Sequence, residues 1–121
     1  MSTRAASKAP VTGDTEDIFH MTNLSPRMTG LSRHVFVSPR MGSHDVRIKV
    51  SRTHGGRGLW PDAVSVAVRP VPPRVVPPGQ LSAADLRIVG DWIALNRDVI
   101  IDYWDDKIDI YEALPRLQKL P

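Results

Sequence analysis

Two hydrophobic spacings divide the chain, a period of two before residue 80 and a helical period after it. Residues 46–51 alternate Val or Ile with charged or small polar residues, and residues 63–69 repeat the alternation with three valines. This period is typical of strands that bury one face. A shorter alternation at residues 35–38 leads into a turn at 39–43, which predicts a hairpin with one apolar and one basic face.

Residues 82–105 show the strongest helical pattern in the chain. Ser82 is in place to act as N-cap, with Asp85 three residues later, as in a capping box. Asn96 falls inside the apolar stripe, where its amide needs a hydrogen-bond partner. The polar side carries Arg87 and three aspartates. The apolar stripe contains Leu86, Val89, Trp92, Ile93, Ile100, Tyr103 and Trp104.

These patterns predict an α+β fold in which a small antiparallel sheet of three to four strands, within residues 33–76, packs against one long C-terminal amphipathic helix. The five prolines between 70 and 78 restrict that segment to an edge strand or a connection. Residues 1–31 lack periodicity and are predicted to be a flexible arm that becomes ordered either at its end or on a partner. Residues 32–105 form the single domain, and 106–121 a tail or short helix that packs on the domain or mediates a homodimer.

Composition narrows the classes of function. The 121 residues suit one small domain, and the absence of cysteine excludes disulfides and thiolate metal sites. No apolar run approaches the ~20 residues that a membrane span needs, and the N-terminus lacks a secretory apolar segment. We therefore expect a cytoplasmic protein with no membrane partner.

Charge is distributed unevenly. Residues 27–80 hold nine Lys and Arg against two aspartates, whereas residues 81–121 hold five basic and eight acidic groups. Such asymmetry favours either a polyanion-binding surface or attraction between the two halves of the fold. The basic face predicted as a binding surface contains Arg33, Arg40, Arg47, Lys49, Arg52, Arg57 and Arg69.

Histidines are the main candidates for chemistry. His34 and His44 flank the predicted hairpin, and His54 opens a glycine-rich loop that matches no phosphate-binding fingerprint. With nearby arginines they supply the residue types of a metal-independent ribonuclease, although no spacing requires that use. We predict no catalytic residue, no metal site and no cofactor from these patterns.

The helix resembles that of a short bacterial family known as a domain of unknown function. The resemblance covers roughly residues 32–105 and is specific over the helix, at Leu86, Arg87, Trp92, Ile93, Ile100 and Trp104. It implies antiparallel strands before the helix and a gene context beside toxin–antitoxin-like genes. The family has a Pro-Pro-His-x-His segment entering its second strand. This chain has Gly-Ser-His-Asp-Val at 42–46, without the prolines and the second histidine.

Together these features predict a small non-enzymatic interaction or regulatory protein, antitoxin-like or inhibitor-like, that binds a protein partner. A nucleic-acid-binding module that uses the basic face is the alternative. A small ribonuclease toxin is the third hypothesis.

Overall fold

Five short strands form one antiparallel sheet in the computed structural model, which describes residues 21–52 and 63–121. The strands lie side by side in the order in which they occur along the chain. This meander keeps pairing local, and it leaves the first and last strands as edges. The strands are β1 Thr22–Leu24, β2 Val35–Val37, β3 Arg47–Ser51, β4 Ala63–Ala67 and β5 Arg74–Val76.

One long helix, α2 (Ala83–Trp104), follows the sheet. The predicted N-cap is confirmed, because the Ser82 hydroxyl accepts a hydrogen bond from the backbone N–H of Asp85 at 3.1 Å. Short helical turns complete the structure: α1 (Pro26–Thr29), α3 (Ile110–Ala113) and a 3₁₀ turn at Leu114–Arg116. Within the described ranges, no helix combines the length and apolarity needed to cross a lipid bilayer.

The core lies between α2 and one face of the sheet. The alternating valines and isoleucines of β3 and β4 are at most 1% exposed, and so are Trp92, Ile93 and Trp104 of the helix. Burying one such side chain contributes about 1.5–3 kcal/mol, so this row carries much of the stability. Leu86 belongs to the predicted apolar stripe but is only half-buried.

The α+β class, the antiparallel sheet and the long helix are as predicted, but the number of strands is not. The sheet has five strands because the end of the predicted arm is ordered and adds β1, in which Leu24 is buried and pairs with Val35. A strand of three residues is too short to show a period of two. β5 is an edge strand, as the prolines around it require. Residues 1–20, the rest of the predicted arm, lie outside the described residues.

The C-terminal tail packs on its own domain. The Asn96 carboxamide donates to the backbone oxygen of Gln118 at 3.0 Å and accepts from its N–H at 2.6 Å. Farther along, Leu120 donates its N–H to the Thr29 oxygen at 2.8 Å. Gly30 permits this approach, because an added Cβ would lie 2.7 Å from the Leu120 oxygen. The amide inside the helix stripe therefore finds its partner in the tail.

Candidate functional site

The predicted basic face is not one surface, and Arg33 shows this most clearly. Its side chain is 4% exposed, and one terminal nitrogen donates to the backbone oxygens of Ser51 and Arg52 at 2.9 and 2.7 Å. The other terminal nitrogen pairs with Asp85 at 2.5 Å. Arg33 thus ties β3 to the start of α2 and does not face solvent.

Arg40 and Arg69 come together at the opposite end of the sheet, around acidic partners. Arg40 pairs with Asp105 at 3.1 Å and lies over the Trp104 ring at 6.0 Å, and Arg69 pairs with Asp45 at 2.9 Å. A backbone hydrogen bond at Val46 and the Arg69 guanidinium hold the pKa of Asp45 below its ordinary value. At each end of the sheet, a basic residue of the first half pairs with an aspartate of the second half, which is the attraction that the charge asymmetry allowed, whereas the close partner of Arg69 lies in its own half.

Arg47 and Lys49 do lie on the face of the sheet opposite α2. The Lys49 ammonium donates to the Ser65 hydroxyl at 3.0 Å. Arg47 of β3 is paired with Ala67 of β4, and Ala67 is paired with Arg74 of β5. Arg74 therefore lies on the same outer face as Arg47 and Lys49, and the three cations form an outer basic row. Arg52 is exposed at the end of β3. Arg57 lies outside the described residues.

The histidines do not converge in the part of the chain that the structure describes. His34 precedes β2, where its backbone oxygen accepts from Ser51, and its ring lies 2.9 Å from the Asn23 side-chain oxygen. His44 lies in the β2–β3 connection at the other end of the hairpin, 5.4 Å from the Trp104 ring. His54 is outside the described residues. Residues 21–52 and 63–121 contain no cluster of three His, Cys, Asp or Glu able to hold a metal.

A mainly apolar groove of about 430 Å³ runs between the β4–β5 connection and one side of α2. Val71 on its rim is 81% exposed, and the neighbouring Pro72 is exposed as well. Pro73 is buried and packs close to Gly90. The lining consists of Val71, Pro72 and Pro73 on one wall and Ala83, Leu86, Arg87, Gly90, Asp91, Ala94 and Arg97 on the other.

The helical wall of the groove has a regular spacing. Positions 83, 86, 90, 94 and 97 follow one another every three or four residues, so they share one face of α2. Gly90 and Ala94 are small, which opens space beside the proline-rich connection. From Ala83 to Arg97 this face extends about 21 Å at 1.5 Å per residue. An extended segment of about six residues has the same length.

Sequence reasoning missed this groove. The helix pattern predicts a solvated side for Arg87 and Asp91, and the prolines at 70–78 predict only an edge strand or a connection. The available signal was the pair of small residues at 90 and 94, which border the apolar stripe next to Leu86, together with an exposed apolar Val71 in the proline-rich segment. Only the packing of the connection against the helix unites them.

Comparison of the chain with protein-family models, with curated proteins and with solved structures gives no match. The resemblance over the helix therefore stays a prediction.

Proposed function

We propose that this protein is a non-enzymatic protein-binding module and that the groove between the β4–β5 connection and α2 is its binding site. The observation that carries the proposal is the exposed apolar lining of the groove, with Val71 81% exposed at its rim. Exposed apolar surface bordered by charged residues is typical of interaction sites. Here Arg87 and Asp91 provide the charged border.

The shape of the groove favours a polypeptide ligand. An open trough about 21 Å long along one helix face accommodates an extended segment and its side chains. Apolar anchors with charged flanks are the usual means by which such grooves recognise peptides. An antitoxin-like or inhibitor-like role agrees with this mode of binding, since it needs a complementary surface and no reacting group.

The proposal is tested by filling the groove. A Cβ at Gly90 meets Pro73 at an ordinary 3.6 Å, so Gly90→Ala fits, whereas Gly90→Leu extends further into the groove. Tagged full-length wild type and both variants are used to purify partners from nuclease-treated lysate of the native cells, with mass spectrometry as the readout. We expect a stoichiometric protein with wild type and Gly90→Ala that is lost with Gly90→Leu.

Two controls make that comparison decisive. Thermal unfolding and the backbone NMR spectrum must show that Gly90→Leu is folded. Gly90→Ala is expected to be at least as stable as wild type, because alanine is the better helix former by about 1 kcal/mol. A partner retained equally by all three proteins contradicts the groove as the binding site.

Nucleic-acid binding is a second candidate because Arg47, Lys49 and Arg74 occupy neighbouring positions on the outer face of the sheet. Rows of cations of this kind contact phosphate backbones without reading sequence. Steep salt dependence separates this function from peptide binding in an apolar groove.

A further inference from the structure

Arg97 has an unusual position at one end of the groove. It lines both the groove and an adjoining polar hollow of about 390 Å³, which extends toward Gln118 of the tail. Its Nε donates to the backbone oxygen of Val68 at 3.4 Å, and the side chain is half-buried. Within residues 21–52 and 63–121, no hydrogen bond or ion pair involves its two terminal nitrogens.

Among the described residues, this placement leaves a half-buried cation with no ion-pair partner. Withdrawing charge from water is costly unless a partner compensates for it. The lining of the groove contains two arginines, Arg87 and Arg97, and one carboxylate, Asp91, so it has an excess of positive charge. In the adjoining hollow, Asp98 follows Arg97 directly and therefore points to a different side of the helix, and Arg116 pairs with Asp102.

The anchored Nε also orients the side chain. With one edge of the guanidinium held at Val68, the two terminal nitrogens remain as a fork. Such a fork matches a carboxylate, which it binds through two parallel charge-assisted hydrogen bonds. Charge complementarity thus selects an acidic side chain as the partner group at this end of the groove.

We infer that the groove binds an extended segment of a protein partner that carries an acidic side chain for Arg97 and an apolar side chain for the space between Pro73 and Leu86. This inference rests on the proposed function and specifies its ligand. Leu86 and Arg97 lie about 16 Å apart along the helix, at 1.5 Å per residue. The acidic and apolar residues of the partner are therefore about five positions apart in an extended chain.

The test uses full-length protein and a library of random displayed peptides. Peptides are selected on wild type and counter-selected on Gly90→Leu, and the same selection is repeated on Arg97→Glu. We expect wild type to enrich Asp or Glu about five positions from an apolar residue, and Arg97→Glu to enrich Lys or Arg there instead. Arg27→Glu, an equal charge reversal at an exposed residue of α1, should leave the acidic preference unchanged.

A synthetic copy of a selected peptide then measures how much Arg97 contributes to binding affinity. Arg97→Gln should weaken its binding about 10- to 100-fold in fluorescence anisotropy, as expected for losing hydrogen bonds to a charged group. Replacing the acidic residue of the peptide by its amide should weaken binding to wild type by a similar factor and should change binding to Arg97→Gln little. Unfolding midpoints of the variants confirm that each remains folded.

The possible failures are distinguishable. Peptides that require an open groove but show no acidic preference, or an unchanged one on Arg97→Glu, overturn the role of Arg97 and leave the proposed function standing. If no selected peptide discriminates wild type from Gly90→Leu, the groove is not a peptide site and both proposals fail. A wild-type dimer in analytical ultracentrifugation that Gly90→Leu abolishes identifies a second copy as the occupant and overturns the inference.

Discussion

At the scale of single residues, Arg33 shows that a charge in a basic half of the sequence need not face a ligand. Its guanidinium donates hydrogen bonds to two backbone oxygens and forms an ion pair with one carboxylate at the junction of β3 and α2. Arginine suits this position because its planar fork reaches several acceptors at once. The alternation of residues along the strands predicts a basic face. It does not show that Arg33 lies outside the strands and that its side chain is buried.

Replacing Arg33 by methionine should therefore reduce stability and not merely weaken binding. Removing the guanidinium takes hydrogen bonds from the Ser51 and Arg52 backbone oxygens and the cation from Asp85, and we expect a loss of about 3 kcal/mol in the free energy of unfolding. Urea denaturation measures this loss. The matched control is Arg27→Met at an exposed site, which should change stability by less than about 0.5 kcal/mol. Equal losses for the two variants would contradict the structural role of Arg33.

At the scale of elements, the C-terminal tail is joined to the helix and to α1 by backbone hydrogen bonds. Asn96 is 1% exposed and acts as a docking point for the Gln118 backbone, and Leu120 reaches Thr29. A polar residue in an apolar helix stripe thus decides where the tail lies. The tail also borders the hollow beside Arg97, so its position shapes one end of the groove region.

Asn96→Leu is expected to release the tail while leaving the sheet and helix intact. Leucine fills the position with an apolar side chain but makes neither of the hydrogen bonds to Gln118, and amide hydrogen exchange at Gln118 and Leu120 should accelerate at least tenfold. Gln118→Ala is the control, because the exposed side chain of Gln118 is not involved and its backbone makes the bonds. Unchanged exchange in Asn96→Leu would show that other contacts hold the tail.

At the scale of the whole molecule, charge pairing between the sheet and the helix reduces the basic surface that the composition suggests. Arg33, Arg40 and Arg69 have acidic partners, whereas Arg47 and Arg74 of the outer face form no such pair in the described structure. The edge strands of the sheet also offer little backbone for pairing with another chain. β1 and β5 have three residues each, and prolines flank β5, which discourages pairing with other chains.

We therefore expect weak, sequence-independent binding to nucleic acid. Fluorescence anisotropy with duplex and single-stranded oligonucleotides should give dissociation constants no tighter than about 10⁻⁶ M at physiological salt. If the outer row of three cations contacts phosphates, the logarithm of affinity should fall with the logarithm of salt at a slope of about −3. Arg47→Gln should reduce that slope by about one, while Arg27→Gln should not. Tight, sequence-selective binding would favour the nucleic-acid function over the groove.

Local sequence patterns were sufficient to predict the two valine-rich strands within 46–51 and 63–69, the capped helix that begins after Ser82, and the need of Asn96 for a hydrogen-bond partner. These follow from local chemistry, because side-chain period and capping depend on neighbours within a few residues. Tertiary structure alone decided the strand at 22–24, the inward turn of Arg33, the tail as the partner of Asn96, and the groove between Val71 and Gly90. Each joins residues far apart in the chain, and only the packing of the core brings them into contact.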